Sequence, residues 1–100
     1  ITRQAIRLLP NDSNLRFDLG VIYRVQGKTT EAIGAYRDAV KLDDKNAEAW
    51  YDLGVLLAQD RQKPEAIEAF NKYIDLVGTK NATQVEGVRQ QIKGLGGTAH

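Results

Sequence analysis

The chain has 100 residues, 42% of them hydrophobic and 27% charged, which bounds it to one small globular domain rather than a disordered segment. Its net charge is +1 with the two signs interspersed, so no basic stripe points to nucleic acid or to an anionic membrane. There is no cysteine, which excludes disulfides and thiolate metal sites, and no apolar run approaches the roughly 20 residues of a membrane span.

In chain order, residues 1–9 carry Ile1, Ala5, Leu8 and Leu9 at helical spacing. Pro10 and the "NDS" that follows end this helix, and Asp12 or Ser13 offers an N-cap for the next. That second helix is expected over about 14–25, with Leu15, Leu19, Ile22 and Tyr23 in one stripe, and Gly27 as a left-handed stop. Thr29 or Thr30 would cap a third helix over about 31–42, carrying Ala32, Ile33, Ala35, Tyr36, Ala39 and Val40. Asn46 would cap a fourth over 47–59. "DRQK" turns the chain, and Pro64 opens a fifth helix that runs to Val77 before Gly78. Thr83 with Glu86 reads as a capping box for a last helix with Val85, Val88, Ile92 and Leu95 inward, followed by a frayed "GLGGTAH". No stretch alternates with period two, so no sheet is expected.

These helices are not independent. Laid over itself at an offset of 34 residues, the chain pairs Asp18 with Asp52, Leu19 with Leu53, Gly20 with Gly54 and Val21 with Val55. Further on it pairs Glu31 with Glu65, Ala32 with Ala66, Ile33 with Ile67, Ala35 with Ala69 and Leu42 with Leu76, without a gap. An ungapped self-match at this period is the mark of a helical array. Gly20 and Gly54 fall on the inner face of the first helix of each pair, with Ala32 and Ala66 opposite. Small residues on both sides would let the backbones approach. Trp50, Leu53 and Phe70 would then fill the ends of the contact, each large side chain contributing roughly 1.5–3 kcal/mol on burial.

The unit "AEAWYDLGVLLAQDRQKPEAIEAFNKYIDLVGTK" resembles a tetratricopeptide repeat through Trp50, Leu53, Gly54, Ala66 and Phe70. Residues 13–46 resemble the same pattern through Leu19, Gly20, Tyr23, Gly27, Ala32, Tyr36 and Ala39. The resemblance implies an all-α fold: a right-handed α-solenoid of stacked antiparallel helix pairs, about six helices in all. Residues 1–12 would be the end of a preceding repeat, 13–46 and 47–80 two full repeats, 81–95 a capping helix and 96–100 a disordered tail. The departures are Arg16 in place of Trp, Leu57 in place of Tyr, Asp44 and Gly78 in place of Pro, Tyr73 in place of a small residue, and Arg61 where the first repeat has Gly27. Arg61 must therefore hold a left-handed conformation at some cost, or the second turn must differ.

Little in the chain could carry catalysis. The single histidine is His100, the last residue, so the usual zinc sites have no ligand set. The acidic pairs Asp43–Asp44 and Glu65–Glu68 suit solvated helix faces, and Gly94 to Gly97 follows a helix where a phosphate loop would lead into one. We expect no enzyme activity and no cofactor or metal.

The expected function is protein–protein interaction, as a soluble, cytoplasmic segment of a larger protein. The resemblance implies that the first helix of each pair lines a concave groove holding a peptide or partner domain. Positions left over from packing are Asn14, Phe17, Asp18, Val21, Arg24 and Val25 in one repeat and Glu48, Tyr51, Asp52, Val55, Ala58 and Gln59 in the next. Phe17 lies over Tyr51 and Val21 over Val55, an apolar floor with polar ends. The alternative for Tyr51 is packing against the next helix of the array, and Phe17 and Val21 are the better candidates for ligand contact. Some tetratricopeptide proteins grip a free C-terminal carboxylate here with basic side chains; Asp18 and Asp52 would repel one. A peptide with apolar side chains and a basic residue suits these positions better. The alternative is a structural, self-association role, with Ile1, Ala5 and Leu8 pairing between copies as a homo-oligomer. Nucleic-acid and membrane partners are not expected.

Overall fold

In the computed structural model the described residues, 13–78 and 80–97, form five α-helices and no strand. They are α1 (Ser13–Val25), α2 (Thr29–Leu42), α3 (Ala47–Gln59), α4 (Lys63–Val77) and α5 (Ala82–Gly94). Helices α1 and α2 pack as one pair and α3 and α4 as another; α3 also packs on α2, and α5 on α4. This is the all-α solenoid of stacked hairpins that the repeat implied. The helix expected over residues 1–9, the Pro10 stop and the Asp12 cap lie outside the described residues.

The elements end where their local chemistry directs. At the end of α1, Gly27 adopts a φ of +77°. Its N–H bonds the Arg24 carbonyl and the Lys28 N–H bonds the Tyr23 carbonyl, at 3.1 and 2.9 Å. That double closure satisfies carbonyls the helix would otherwise leave open. The second repeat makes the same closure without glycine: Arg61 sits at φ +63°, and Gln62 bonds the Leu57 carbonyl at 2.8 Å. The left-handed residue required by the pattern is therefore present, at the expense of a Cβ. Asn46 caps α3, its side-chain oxygen accepting from the Ala49 N–H at 3.2 Å.

Two expected caps and one expected helix start differ. Thr29 and Thr30 are already helical, and Lys28 precedes them with no side-chain cap. Only one residue separates the closing turn at Gly27 from α2, which leaves no extended position for a threonine hydroxyl to bond back. The Thr83–Glu86 capping box is absent: the helix begins at Ala82, and Glu86 instead accepts from Gln90 at 3.0 Å. Pro64 is the second residue of α4 rather than the first, still within the turn whose N–H groups have no helical partner. After α5, Gly96 at φ +83° closes the helix, and the Gly97 N–H bonds the Ile92 carbonyl at 3.0 Å. Gly97, within the stretch expected to fray, lies against Ile67 so closely that a Cβ would meet its side chain at 2.5 Å.

The core runs as one cluster from Ala32, Ile33 and Tyr36 through Leu53, Leu57 and Phe70 to Val85, Val88 and Ile92. The inner-face glycines work differently from the expected backbone approach opposite alanine. A Cβ on Gly54 would meet the Phe70 ring at 2.7 Å, and one on Gly20 would meet the Tyr36 ring at 3.0 Å. An aromatic ring lies directly over each glycine, so Phe70 fills the middle of the contact, not its end. Both rings are fully buried as a result. Trp50 is only half-buried and ties the loop between repeats, its indole N–H donating to the Asp44 carbonyl at 2.8 Å. Arg16, the residue in the corresponding place, instead pairs with Asp38 of α2 at 2.8 Å.

Candidate functional site

The positions left over from packing divide into a floor and a rim. On α1, Phe17 and Val21 are half-buried against the core, whereas Asn14, Asp18, Arg24 and Val25 are exposed, Val25 by 79%. On α3, Tyr51, Val55 and Ala58 pack partly against the core while Glu48 and Gln59 are exposed. The aromatics of the floor are anchored by ring contacts. Phe17 meets Tyr36 edge-on, centroids 5.5 Å apart, and Tyr51 lies 6.1 Å from Phe70 and 5.3 Å from Tyr73. Truncating either would disturb packing as well as any ligand.

Asp52 is half-buried at the junction of the two repeats and accepts a hydrogen bond from the Tyr36 hydroxyl at 3.3 Å. Burial pushes its carboxyl above the usual value of 3.8; the Arg24 guanidinium pulls it back, Glu48 pushes it further up, and the Tyr36 hydroxyl favours the charged form. Burial, then the Asp52 charge, pushes the Tyr36 phenol up to about 12, against the opposite pull of Arg24. Burial also raises Tyr73. Arg24, Tyr36, Glu48 and Asp52 therefore form one coupled polar group drawn from α1, α2 and α3.

Beside it lies a cleft of about 340 Å³ lined by Glu48, Tyr51 and Asp52 of α3, Tyr73 of α4 and Gln84 of α5. Three of these five were candidate groove residues. Tyr73 and Gln84 were not: Tyr73 reads as a large side chain in place of a small packing residue, and no sequence pattern singles out Gln84. Only the fold of α4 and α5 around Tyr51 brings them in. On another face, a separate cleft lies over Trp50 between Arg37 and Lys41 of α2 and Glu65 and Glu68 of α4. Among the described residues there is no group of acids or histidines that could hold a metal ion. Nor is any helix there long and apolar enough to cross a membrane. The surface expected from Ile1, Ala5 and Leu8 lies outside the described residues, as does His100.

The sequence profile of the tetratricopeptide repeat matches residues 3–47 and 17–80, which together span most of the chain. The chain belongs to the tetratricopeptide repeat family. No curated protein matches it as a relative. Among solved structures, the chain is similar to the Yersinia enterocolitica type III secretion translocator chaperone SycD. The TM-score is 0.85 at 18% identity, over 95% of this chain and 67% of that one. At that identity the likeness is one of fold. A tetratricopeptide fold is a curved stack of helix pairs with an extended concave surface.

Proposed function

We propose that this tetratricopeptide segment is a binding module that holds a peptide, or an extended segment of a partner protein, along the face of α1 and α3. The observation that supports it most directly is the cleft at Glu48, Tyr51 and Asp52, which opens on the side chains left over when the packing positions are assigned. Val21 and Val55 supply apolar contact beside it, and Asn14, Asp18, Arg24, Val25 and Gln59 form the polar and apolar rim. The similarity in fold to a chaperone of a secreted translocator is consistent with a protein ligand. Asp18, Glu48 and Asp52 outnumber Arg24 on this face, so the ligand is not one gripped by a free C-terminal carboxylate.

The test uses rim charges, because Phe17 and Tyr51 are tied into the core. The chain and an Asp18→Lys, Glu48→Lys variant would be used to capture proteins from the source lysate, with Glu65→Lys on the separate cleft as control. A partner held by the chain and the control but lost by the double variant supports the groove. Equal capture by all three removes it.

A second reading, self-association, draws on the 38% exposure of Ile22 and the 79% exposure of Val25 on α1, large apolar side chains that no described residue covers fully. Light scattering across a concentration series separates the two: a mass that doubles with concentration, and that Val25→Glu returns to the monomer, favours association between copies.

A further inference from the structure

We propose that the cleft between α3, α4 and α5 takes one basic side chain, lysine or arginine, of the peptide in the groove. The inference rests on the groove reading above and specifies what that groove selects.

The groups around the cleft offer acceptors and aromatic faces and no cation. Glu48 and Asp52 are carboxylates, Gln84 is an amide, and Tyr51 and Tyr73 are phenols that can accept as well as donate. Glu48 has no hydrogen bond or ion pair among the described residues, so its charge faces the cleft and solvent. Arg24 acts on Asp52 but does not line the cleft, and one cation against two carboxylates leaves a net negative site. A carboxylate or phosphate ligand is therefore repelled. A divalent ion has no third acid to complete its shell among the described residues.

Tyr73 adds a polar group to the cleft that no described residue uses. Its side chain is only 4% exposed, in the contact between α4 and α3. Its hydroxyl has no hydrogen-bond partner among the described residues, yet it is not sealed away from solvent. The ring is held in the core while the hydroxyl reaches solvent at the wall of the cleft, so it can bond a ligand seated there without breaking any bond within the described residues. The half-buried Tyr51 ring, packed 5.3 Å from the Tyr73 ring between centroids, adds an aromatic surface to the same wall. Carboxylates with tyrosine rings beside them favour a side chain that is cationic, donates only, and carries a long apolar stem.

A phage-displayed library of random peptides selected on the whole chain tests this. We expect enriched sequences to carry Arg or Lys beside apolar residues. In the best peptide, replacing that Arg by citrulline, or that Lys by its acetylated form, should weaken binding about tenfold. On Glu48→Gln and on Tyr73→Phe the same replacement should cost far less. Both changes are mild, and helicity by circular dichroism confirms that each variant folds. If the selected peptides lose affinity on Val55→Glu but show no basic residue, or if citrulline is tolerated, the groove reading stands and this inference falls. If no peptide is selected, or the selected ones are indifferent to Val55→Glu, both fall.

Discussion

The Tyr36 hydroxyl donates to Oδ2 of Asp52 across 3.3 Å, joining α2 of one repeat to α3 of the next. Tyr36 is fully buried and its ring also covers Gly20, so one side chain closes its own hairpin and fastens it to the following one. Tyr36→Phe keeps the ring and removes the bond. We expect a loss of about 1 kcal/mol, read as a lower urea midpoint with the m-value unchanged. The same phenol makes the fold sensitive to base. Its folded pKa, pushed up to about 12, exceeds the usual 10.0, so the unfolded chain loses this proton first. Stability from this group is full below pH 10 and falls as pH rises toward 12; Tyr36→Phe should lose less stability over that interval.

Gly54 lies on α3 directly beneath a buried ring. A Cβ there meets the Phe70 ring at 2.7 Å, and Phe70 is itself fully buried with nowhere to move. Gly54→Ala should destabilise by about 1–3 kcal/mol despite alanine's better helix propensity, and Gly54→Leu should unfold the chain. Gly34, also helical, has nothing within 4 Å of its Cβ position, so Gly34→Ala should stabilise by about 0.5–1 kcal/mol. Thermal melts of the three variants check the order. A Gly54→Ala protein as stable as Gly34→Ala would mean that the ring does not hold its place.

The helices were legible because each rests on signals within a few neighbours. Asn46, Gly27 and Pro64 mark boundaries through their own backbone, and the 34-residue self-match between Gly20 and Gly54 sets the pairing. Local signals misled where two shared one place: Thr29, Thr30 and Thr83 look like caps, but the closing turns before α2 and the start of α5 at Ala82 leave them inside helices. What lies over each glycine was not legible, because Tyr36 and Phe70 are set by the angle between helices rather than by spacing. The same holds for the candidate groove. Its positions could be found by subtracting the packing face, yet nothing local says that Asp52 is tied to Tyr36, that Glu48 has no partner among the described residues, or that Tyr73 and Gln84 join them.

Arg61 holds a φ of +63° at the turn where the first repeat uses Gly27. A left-handed non-glycine residue costs roughly 1–2 kcal/mol, part of which glycine returns as extra freedom in the unfolded chain. Arg61→Gly should therefore raise stability by about 0.5–1 kcal/mol in chemical denaturation. Because Arg61 is exposed and lies in the turn after α3, this change should leave peptide binding at the cleft unaltered. A destabilised Arg61→Gly would show that the arginine side chain makes a contact in solution worth more than the strain.

Asp52 sets stability against charge. Burial raises its folded pKa above 3.8, so the folded chain holds this proton more tightly than the unfolded one. The carboxyl therefore favours folding most at low pH, and that contribution is lost as pH rises from about 4 through the raised folded value. At neutral pH the fold keeps a half-buried carboxylate that an amide could replace, since asparagine also accepts from the Tyr36 hydroxyl. Asp52→Asn should remove this part of the acid-side dependence and leave the chain at least as stable at pH 7, by urea denaturation across pH. A charge retained against folding is what a binding site for a cationic side chain requires, so the same variant should weaken a basic peptide while its citrulline form is unaffected. If Asp52→Asn instead loses stability at pH 7, the carboxylate serves the Arg24–Tyr36 junction, and Glu48 is left as the cleft's functional acid.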